Sequence, residues 1–433
     1  MIRLFQTLFL HFRNSDILSK ISIVLTGTVI AQAILIGSVP FFSRMFSVSQ
    51  FGELGFFMLI SMFGTQLFSW RYDYGIASAE NDQTATSLVA LCMVIGLVSS
   101  LIFSVSLYLL YYLFQAKLAI SKIDYLPWLL LYTYAYAIWN AVSFYNIRAS
   151  RFKLNAILNI TRAFATVAFS VLLYFIISGN GMIIGLALGQ VIATVALGYF
   201  SLAKNHDIFF SSTHFNKISL LKTARKSSGL MKYSLPSAAV ELTSGQLPQY
   251  FIGFFGTLVF GWFSQANRLL NAPLDLIGQS VRAVFWETAG KLYRDTGSCI
   301  GIFDKLSIRL LLISLVPFTL LFFTAPFLFS WVLGPQWEMA GYYSRLLIPL
   351  CFFRFISNPL SSMFYIASKQ HYDFWLQVVV LMGVILVFFV KPFGRMGPET
   401  AIFLYSIIYS GKYIAEFLFS RHFALGQAQK NNK

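Results

Sequence analysis

The chain has 433 residues, 57% of them hydrophobic and only 11% charged, with a mean hydropathy of +0.69. Apolar runs long enough to cross a bilayer recur along its whole length, which excludes a soluble enzyme or binding module and points to a polytopic membrane protein. The formal net charge of +16 calls for no nucleic-acid partner, because its distribution is that of a membrane topology signal.

Residues 1–20 carry Arg3, Arg13 and Lys20 beside a helical apolar stripe of Leu4, Phe5, Leu8, Phe9 and Phe12. That pattern predicts an interfacial helix on the cytoplasmic side. A cleaved signal peptide is the poorer reading: the apolar run that follows is long and shows no small-x-small cleavage site. Spans are predicted near 21–42, 54–70, 85–114, 126–147, 156–178, 182–203, 234–255, 258–281, 308–333, 340–367, 374–391 and 400–420. The expected fold class is thus an all-α polytopic membrane protein with about twelve transmembrane helices.

The longest and most basic loop, 204–233, divides the spans six and six into an N-lobe, 21–203, and a C-lobe, 234–421, followed by a cytoplasmic tail, 422–433. Six is even, so both halves start on the same side and any internal repeat is a parallel one. Phe51-Gly52 opens the second span and Phe260-Gly261 the eighth, a weak self-similarity of that kind. With the N-terminus inside, about 22 of the 32 Lys and Arg fall on the inside and about five on the outside, as the positive-inside rule requires. Both termini are then cytoplasmic. The outside loops are too short for a folded domain, and so is the segment 283–307.

Cys92, Cys299 and Cys351 are isolated and odd in number, so no disulfide framework is expected. The five histidines have no metal-ligand spacing, and no Walker-type loop or Ser-His-Asp pattern is visible. No catalytic site, metal or cofactor is expected.

Polar residues inside the spans carry the functional signal. In the eighth span Gln265, Arg268, Asn271, Asp275, Gln279 and Arg282 follow at steps of three or four, within an arc of roughly 120°. An Arg or Asp at a helix centre costs about 2.5–3.5 kcal/mol on insertion scales, against about 0.3–0.6 kcal/mol returned by each Leu or Phe. A helix with both Arg268 and Asp275 therefore needs a polar cavity or partners. One structural reading is that these two, two turns apart, neutralise each other.

The fifth span repeats the pattern with Asn155, Asn159, Arg162 and Thr166, and the fourth adds Tyr132, Thr133, Tyr136, Asn140 and Ser143. Aromatic rings stack on sugars and guanidinium groups bind phosphate oxygens, so these faces suit a ligand both sugar-like and anionic. The plainer reading is that Tyr and Asn glue helices together. Lys412 and Glu416, four apart, are read as a structural pair. Arg354, among Phe352, Phe353 and Phe355, is the better cavity candidate. Glu241, between Pro236 and Pro248, either carries a coupling proton or accepts a hydrogen bond from a neighbouring helix.

Several short motifs occur in order along nearly the whole chain: Pro40, Arg44 and Phe51-Gly52; Arg71-Tyr72-Asp73-Tyr74-Gly75-Ile76; Ile147-Arg148 with Arg151-Phe152-Lys153; Tyr233-Ser234-Leu235-Pro236; Gln265-Ala266-Asn267-Arg268 with Pro273-Leu274; Gly334-Pro335-Gln336-Trp337; and Ser357-Asn358-Pro359-Leu360. Together they resemble the Wzx-like repeat-unit flippases, a polysaccharide transporter family of the multidrug/oligosaccharidyl-lipid/polysaccharide exporter superfamily. The resemblance implies two six-helix lobes around a central cavity with alternating access. It implies movement of undecaprenyl-pyrophosphate-linked oligosaccharide from the inner to the outer leaflet of the bacterial cytoplasmic membrane, for O-antigen lipopolysaccharide, capsule or exopolysaccharide. It further implies membrane lipids, a polysaccharide polymerase and a chain-length regulator as partners.

On this reading Arg162, Arg268, Arg71 and Arg354 bind pyrophosphate or acidic sugars. Tyr136, Asn140, Asn159, Asn271 and Gln279 contact sugar hydroxyls, and Asp275, Glu241 and Asp73 are candidates for ion coupling. Two rivals remain: a multidrug-type exporter of the same superfamily, and a membrane-embedded polymerase or ligase, which would be an enzyme.

Overall fold

The computed structural model describes residues 16–114, 123–177, 179–202, 221, 223–225, 231–232, 235–390 and 396–426. The apolar stripe of residues 4–12, most of the basic segment 204–233 and the last seven residues lie outside them. The described residues form helices without strands: α1 (Asp16–Gly37), α2 (Val39–Met45), α3 (Val48–Leu67), α4 (Asp73–Ala77), α5 (Asp82–Phe114), α6 (Leu126–Arg148), α7 (Phe152–Ile176), α8 (Gly181–Leu202), α9 (Leu235–Gly253), α10 (Thr257–Thr296), α11 (Ile300–Leu333), α12 (Glu338–Leu360), α13 (Met363–Ile366), α14 (Gln370–Val390) and α15 (Pro398–Leu425).

Twelve of these helices have at least 19 residues, and eight segments among the described residues are long and apolar enough to cross a membrane. The long helices that fall short of that criterion are α3, α6, α9 and α10. Two of them, α6 and α10, carry the polar faces that the sequence singles out. Their low hydropathy is the cost of those faces. Helix boundaries also differ from the expected spans. α10 has 40 residues against the expected 258–281, or about 60 Å at 1.5 Å per residue, twice a bilayer core. It runs on because nothing stops it until Gly297, whose left-handed backbone (φ 72°) closes the last turn on the Tyr293 carbonyl.

The chain folds into two compact units. The first comprises Met1–Val39 with Phe57–Ala239, and the second Pro40–Phe56 with Val240–Lys433. In the first unit α7 and α8 pack through small residues. Gly185 and Gly189, four apart on α8, lie so close to Ser170 and Thr166 of α7 that a Cβ at either glycine would collide with α7 backbone. This is the small-residue contact by which helices approach in lipid. Trp139, Val142, Leu158, Ala193 and Leu197 form a buried cluster of α6, α7 and α8, and Tyr72, Ile76, Leu88, Cys92, Ala141 and Tyr145 another of α4, α5 and α6. Arg148, at the end of α6, donates to Asp82 at 3.1 Å and to the Ala79 carbonyl, fixing the start of α5.

Residues 40–56 belong to the second unit, although the sequence assigns them to the N-lobe. Their contacts give the reason. Ser43 is fully buried, donates to the Leu333 carbonyl at 2.8 Å, and accepts from Gln336 and Trp337 through its own carbonyl. Phe51 meets Trp337 edge to face, and Phe56 stacks on Phe260. Gly52 of α3 and Gly261 of α10 make a reciprocal crossing. A Cβ on Gly52 would strike the Thr257 carbonyl, four residues before Gly261. One on Gly261 would strike the Val48 carbonyl, four before Gly52. Ser49 and Thr257 hydroxyls bond across it at 2.7 Å. The two Phe-Gly pairs thus meet at one point.

A clearer repeat emerges from the backbone. Ala149-Ser150-Arg151 follows α6, and Ala367-Ser368-Lys369 follows α13. Ser150 and Ser368 are both left-handed, at φ 57° and 56°. In each turn the serine N–H donates three residues back, to Ile147 or Tyr365, and the basic residue's N–H donates five back, to Asn146 or Phe364. Matching helix-ending turns on similar tripeptides fit a duplicated half.

Elsewhere in the second unit, Pro326 lacks the N–H that would bond the Phe322 carbonyl. Arg345 of α12 fills the gap, donating to the Phe322 and Phe323 carbonyls at 2.9 and 2.8 Å. Arg345 is therefore a helix-repair residue. Lys412 and Glu416 pair at 3.2 Å on α15, with the ammonium near the Tyr409 and Tyr413 rings.

Candidate functional site

Among the described residues a cationic polar face occurs in each unit. In the first unit it lies on α6, α7 and α8. Arg162 of α7 donates to Asn159 at 2.7 Å and to Gln190 of α8 at 3.4 Å, and its guanidinium lies 5.3 Å from the Trp139 ring centre. Gln190 is buried and donates to Thr194, which donates on to the Ala135 carbonyl. Among the described residues every group holding Arg162 is neutral. Tyr132 and Tyr136, a turn apart on α6, have ring centres 6.1 Å apart, and Asn140 donates to the Thr65 carbonyl at 3.4 Å. Asn155, by contrast, is a fastener: it accepts from Asn146 and donates to the Ser143 carbonyl, tying α7 to α6.

In the second unit the stripe on α10 separates into different tasks. Gln265 is buried. Arg268 is half-buried and, among the described residues, makes no hydrogen bond and no ion pair. Asn271 donates to Asn267 one turn back and accepts from Arg354 of α12. Arg354 also donates to Asp275 at 2.5 Å. The structure thus gives Asp275 to Arg354 and leaves Arg268 without the carboxylate that an in-helix pair would have supplied. The reason is reach: Arg354 comes across from α12, whereas Arg268 and Asp275 are two turns apart on one helix. Gln279 is exposed. Arg282 donates to the Asn358 carbonyl and side chain, capping the end of α12. Glu241 of α9 is exposed.

Arg71 and Asp73 lie between α3 and α5, Asp73 opening α4. Trp70 and Arg71 are consecutive left-handed residues, at φ 49° and 64°, each a costly conformation for a side chain of that size. Arg71 donates to the Tyr74 hydroxyl at 2.9 Å and lies over its ring. Asp73 is buried and accepts from the Ser69 hydroxyl at 2.9 Å. Burial pushes its carboxyl above the usual range, with Ser69 and Arg71 opposing the shift.

Sequence reading alone misses Trp139, Gln190 and Gln249. Gln249 accepts from Asn267 at 3.4 Å. Gln190 has a usable signal, as a lone amide in an apolar helix. Trp139 has none, because a tryptophan in a membrane helix is ordinary. Among the described residues no cluster of three or more His, Cys, Asp or Glu is placed to hold a metal.

Comparison with solved structures defines the class. An inward-facing multidrug resistance MATE family transporter of the MOP superfamily aligns over 93% of this chain and 97% of its own, with a TM-score of 0.60 and 14% identity. An outward-facing one aligns over 96% of both chains, with a TM-score of 0.58 and 16% identity. A MOP superfamily transporter from Pyrococcus furiosus, described as having a binding pocket of reverse polarity that suggests a different function, gives 0.57 and 14% over 94% of both. The chain therefore has the MATE-like fold of multi-pass helical MOP-superfamily transporters. It belongs to the polysaccharide biosynthesis protein family, whose model matches residues 41–341. No match is found among curated proteins.

Proposed function

We propose that this protein is a flippase for lipid-linked oligosaccharides, carrying undecaprenyl-pyrophosphate-linked repeat units from the inner to the outer leaflet of the bacterial cytoplasmic membrane. The observation that carries this reading is Arg268, a half-buried guanidinium with no partner among the described residues. A cation held away from bulk water is costly unless an anion joins it. Arg162, held by neutral groups alone, makes the same demand in the first unit. Pyrophosphate supplies the charge, and Tyr132, Tyr136, Asn140 and Asn159 suit sugar rings and hydroxyls. Membership of the polysaccharide biosynthesis family fits this substrate class. Alternating access, with the lipid tail left in the bilayer, is the transport mechanism.

A second reading, a multidrug-type exporter, draws on the likeness to the multidrug transporters. The two differ in ligand charge. A site for cationic drugs needs an uncommitted carboxylate, and the one carboxylate in the stripe from Gln265 to Arg282, Asp275, is bridged to Arg354 when no ligand is bound.

The test is a host strain lacking the gene, probed with a membrane-impermeant sugar reagent. Lipid-linked units trapped on the inner leaflet, released by the wild-type chain but not by Arg268→Ala, are the expected result. An Arg268→Ala protein that is normally expressed and fully active overturns the assignment.

A further inference from the structure

The Arg354–Asp275 bridge is not sealed. The Asp275 side chain is 42% exposed and that of Arg354 23%. Arg268 lies two turns before Asp275 on the same face of α10 and has no partner among the described residues. A carboxylate and a phosphate present the same oxygen geometry to a guanidinium fork, so the two compete for it. We propose that Asp275 is a built-in surrogate anion: an incoming phosphate displaces its carboxylate from Arg354, and the released carboxylate takes up a proton. This rests on the reading above that the ligand carries a pyrophosphate.

Loss of the direct bond supports the proton. A pyrophosphate diester brings two negative charges, which Arg268 and Arg354 together match, so the displaced Asp275 carboxylate keeps no cation bonded to it. The remaining cation in its field, Arg282, is engaged with Asn358. A proton on an Asp275 carboxylate oxygen, taken from water at its exposed edge, neutralises a carboxylate that is otherwise partly desolvated and unbridged, the state that buried acids avoid. The other ionisable groups in the field of the bridge are Arg282 on α10, Cys351 on α12, and Tyr405 and Tyr413 on α15. None is an acid ionised at neutral pH, so Asp275 is the group that titrates. The bridge also keeps Arg354 paired when no ligand is bound, and it weakens ligand binding by the fraction of time that Arg354 is occupied. A carrier has to release what it binds, and this competition favours release.

The experiment uses the full-length chain in detergent and a dibutyl pyrophosphate diester, both of whose acidic groups stay ionised. Calorimetric titration in buffers of different ionisation enthalpy, at pH values between about 5 and 8, counts protons taken up per ligand bound. Wild type is expected to take up a proton, approaching one per ligand at the acidic end. Asp275→Asn should bind about tenfold tighter and lose that uptake, while Asp275→Glu restores it. Thermal unfolding of each variant confirms that it is folded. Equal affinity and equal proton counts for wild type and Asp275→Asn would overturn the displacement and leave the anion site standing. Binding unchanged by Arg354→Gln would also overturn it, by placing the phosphate elsewhere. If neither wild type nor Asp275→Asn binds the diester, the pyrophosphate reading fails and this inference falls with it.

Discussion

Arginines in this protein do different work according to what meets them. Arg345 repairs the carbonyl left open by Pro326, Arg282 caps α12, Arg148 holds the start of α5, and Arg354 is bridged. Among the described residues Arg268 and Arg162 have no carboxylate, and the proposed ligand site is built on them. Arg162 lies over the Trp139 ring, so the proposed site includes that face. A cation–π contact of about 0.5–2 kcal/mol predicts that Trp139→Leu weakens ligand binding roughly twofold to thirtyfold, measured by titration; because Trp139 is buried against Val142 and Leu158, thermal stability falls as well, and Trp139→Phe, which keeps an aromatic face, should recover part of both. Asp73 gives a pH signature. Its folded-state pKa is raised by burial, so the native protein holds this proton more tightly than the unfolded chain. Stability should therefore fall as pH rises from the ordinary carboxylate range, about 4, through the raised value. The melting temperature of Asp73→Asn should lack that slope.

Among the helices, close approach decides where glycine is needed. Gly52 and Gly261 face opposing backbone, which cannot withdraw as a flexible side chain can. Gly52→Ala and Gly261→Ala should each lower the melting temperature clearly. Gly383 and Gly411 lie inside α14 and α15, with nothing within 4 Å of the point a Cβ would occupy. Alanine there should be neutral or stabilising by up to about 1 kcal/mol, because it restricts the unfolded chain. A double-mutant cycle tests the repair at Pro326. Arg345→Ala should cost about 1–3 kcal/mol alone and markedly less beside Pro326→Ala, which returns the missing N–H.

Across the whole molecule, the chain enters the second unit at Pro40, returns to the first at Phe57, and enters the second for good at Val240. The Ser150 and Ser368 turns, one in each unit, share their backbone conformation and hydrogen-bond pattern. The helix-ending turns carry a side chain in the left-handed region at single-residue cost. Glycine at Ser150 or Ser368 should be tolerated, whereas a β-branched residue should lower expression and thermal stability; Ser150→Val and Ser368→Val measured side by side check whether the two turns are equivalent.

The sequence by itself determined the membrane class, the all-α character and the polar face of α10, because each depends on composition or on helical periodicity. Arg162 and Arg268 were legible for the same reason: a charge in an apolar run is conspicuous whatever surrounds it. Only the tertiary structure decided which charges are spent. Asp275 reaches Arg354 across helices, Arg282 finds the end of α12, and Gln190 reaches Arg162 from α8. Residues 40–56 likewise join the second unit through Ser43, Phe51 and Gly52. Pairings of this kind join residues that are dozens to hundreds of positions apart, and no local spacing encodes them.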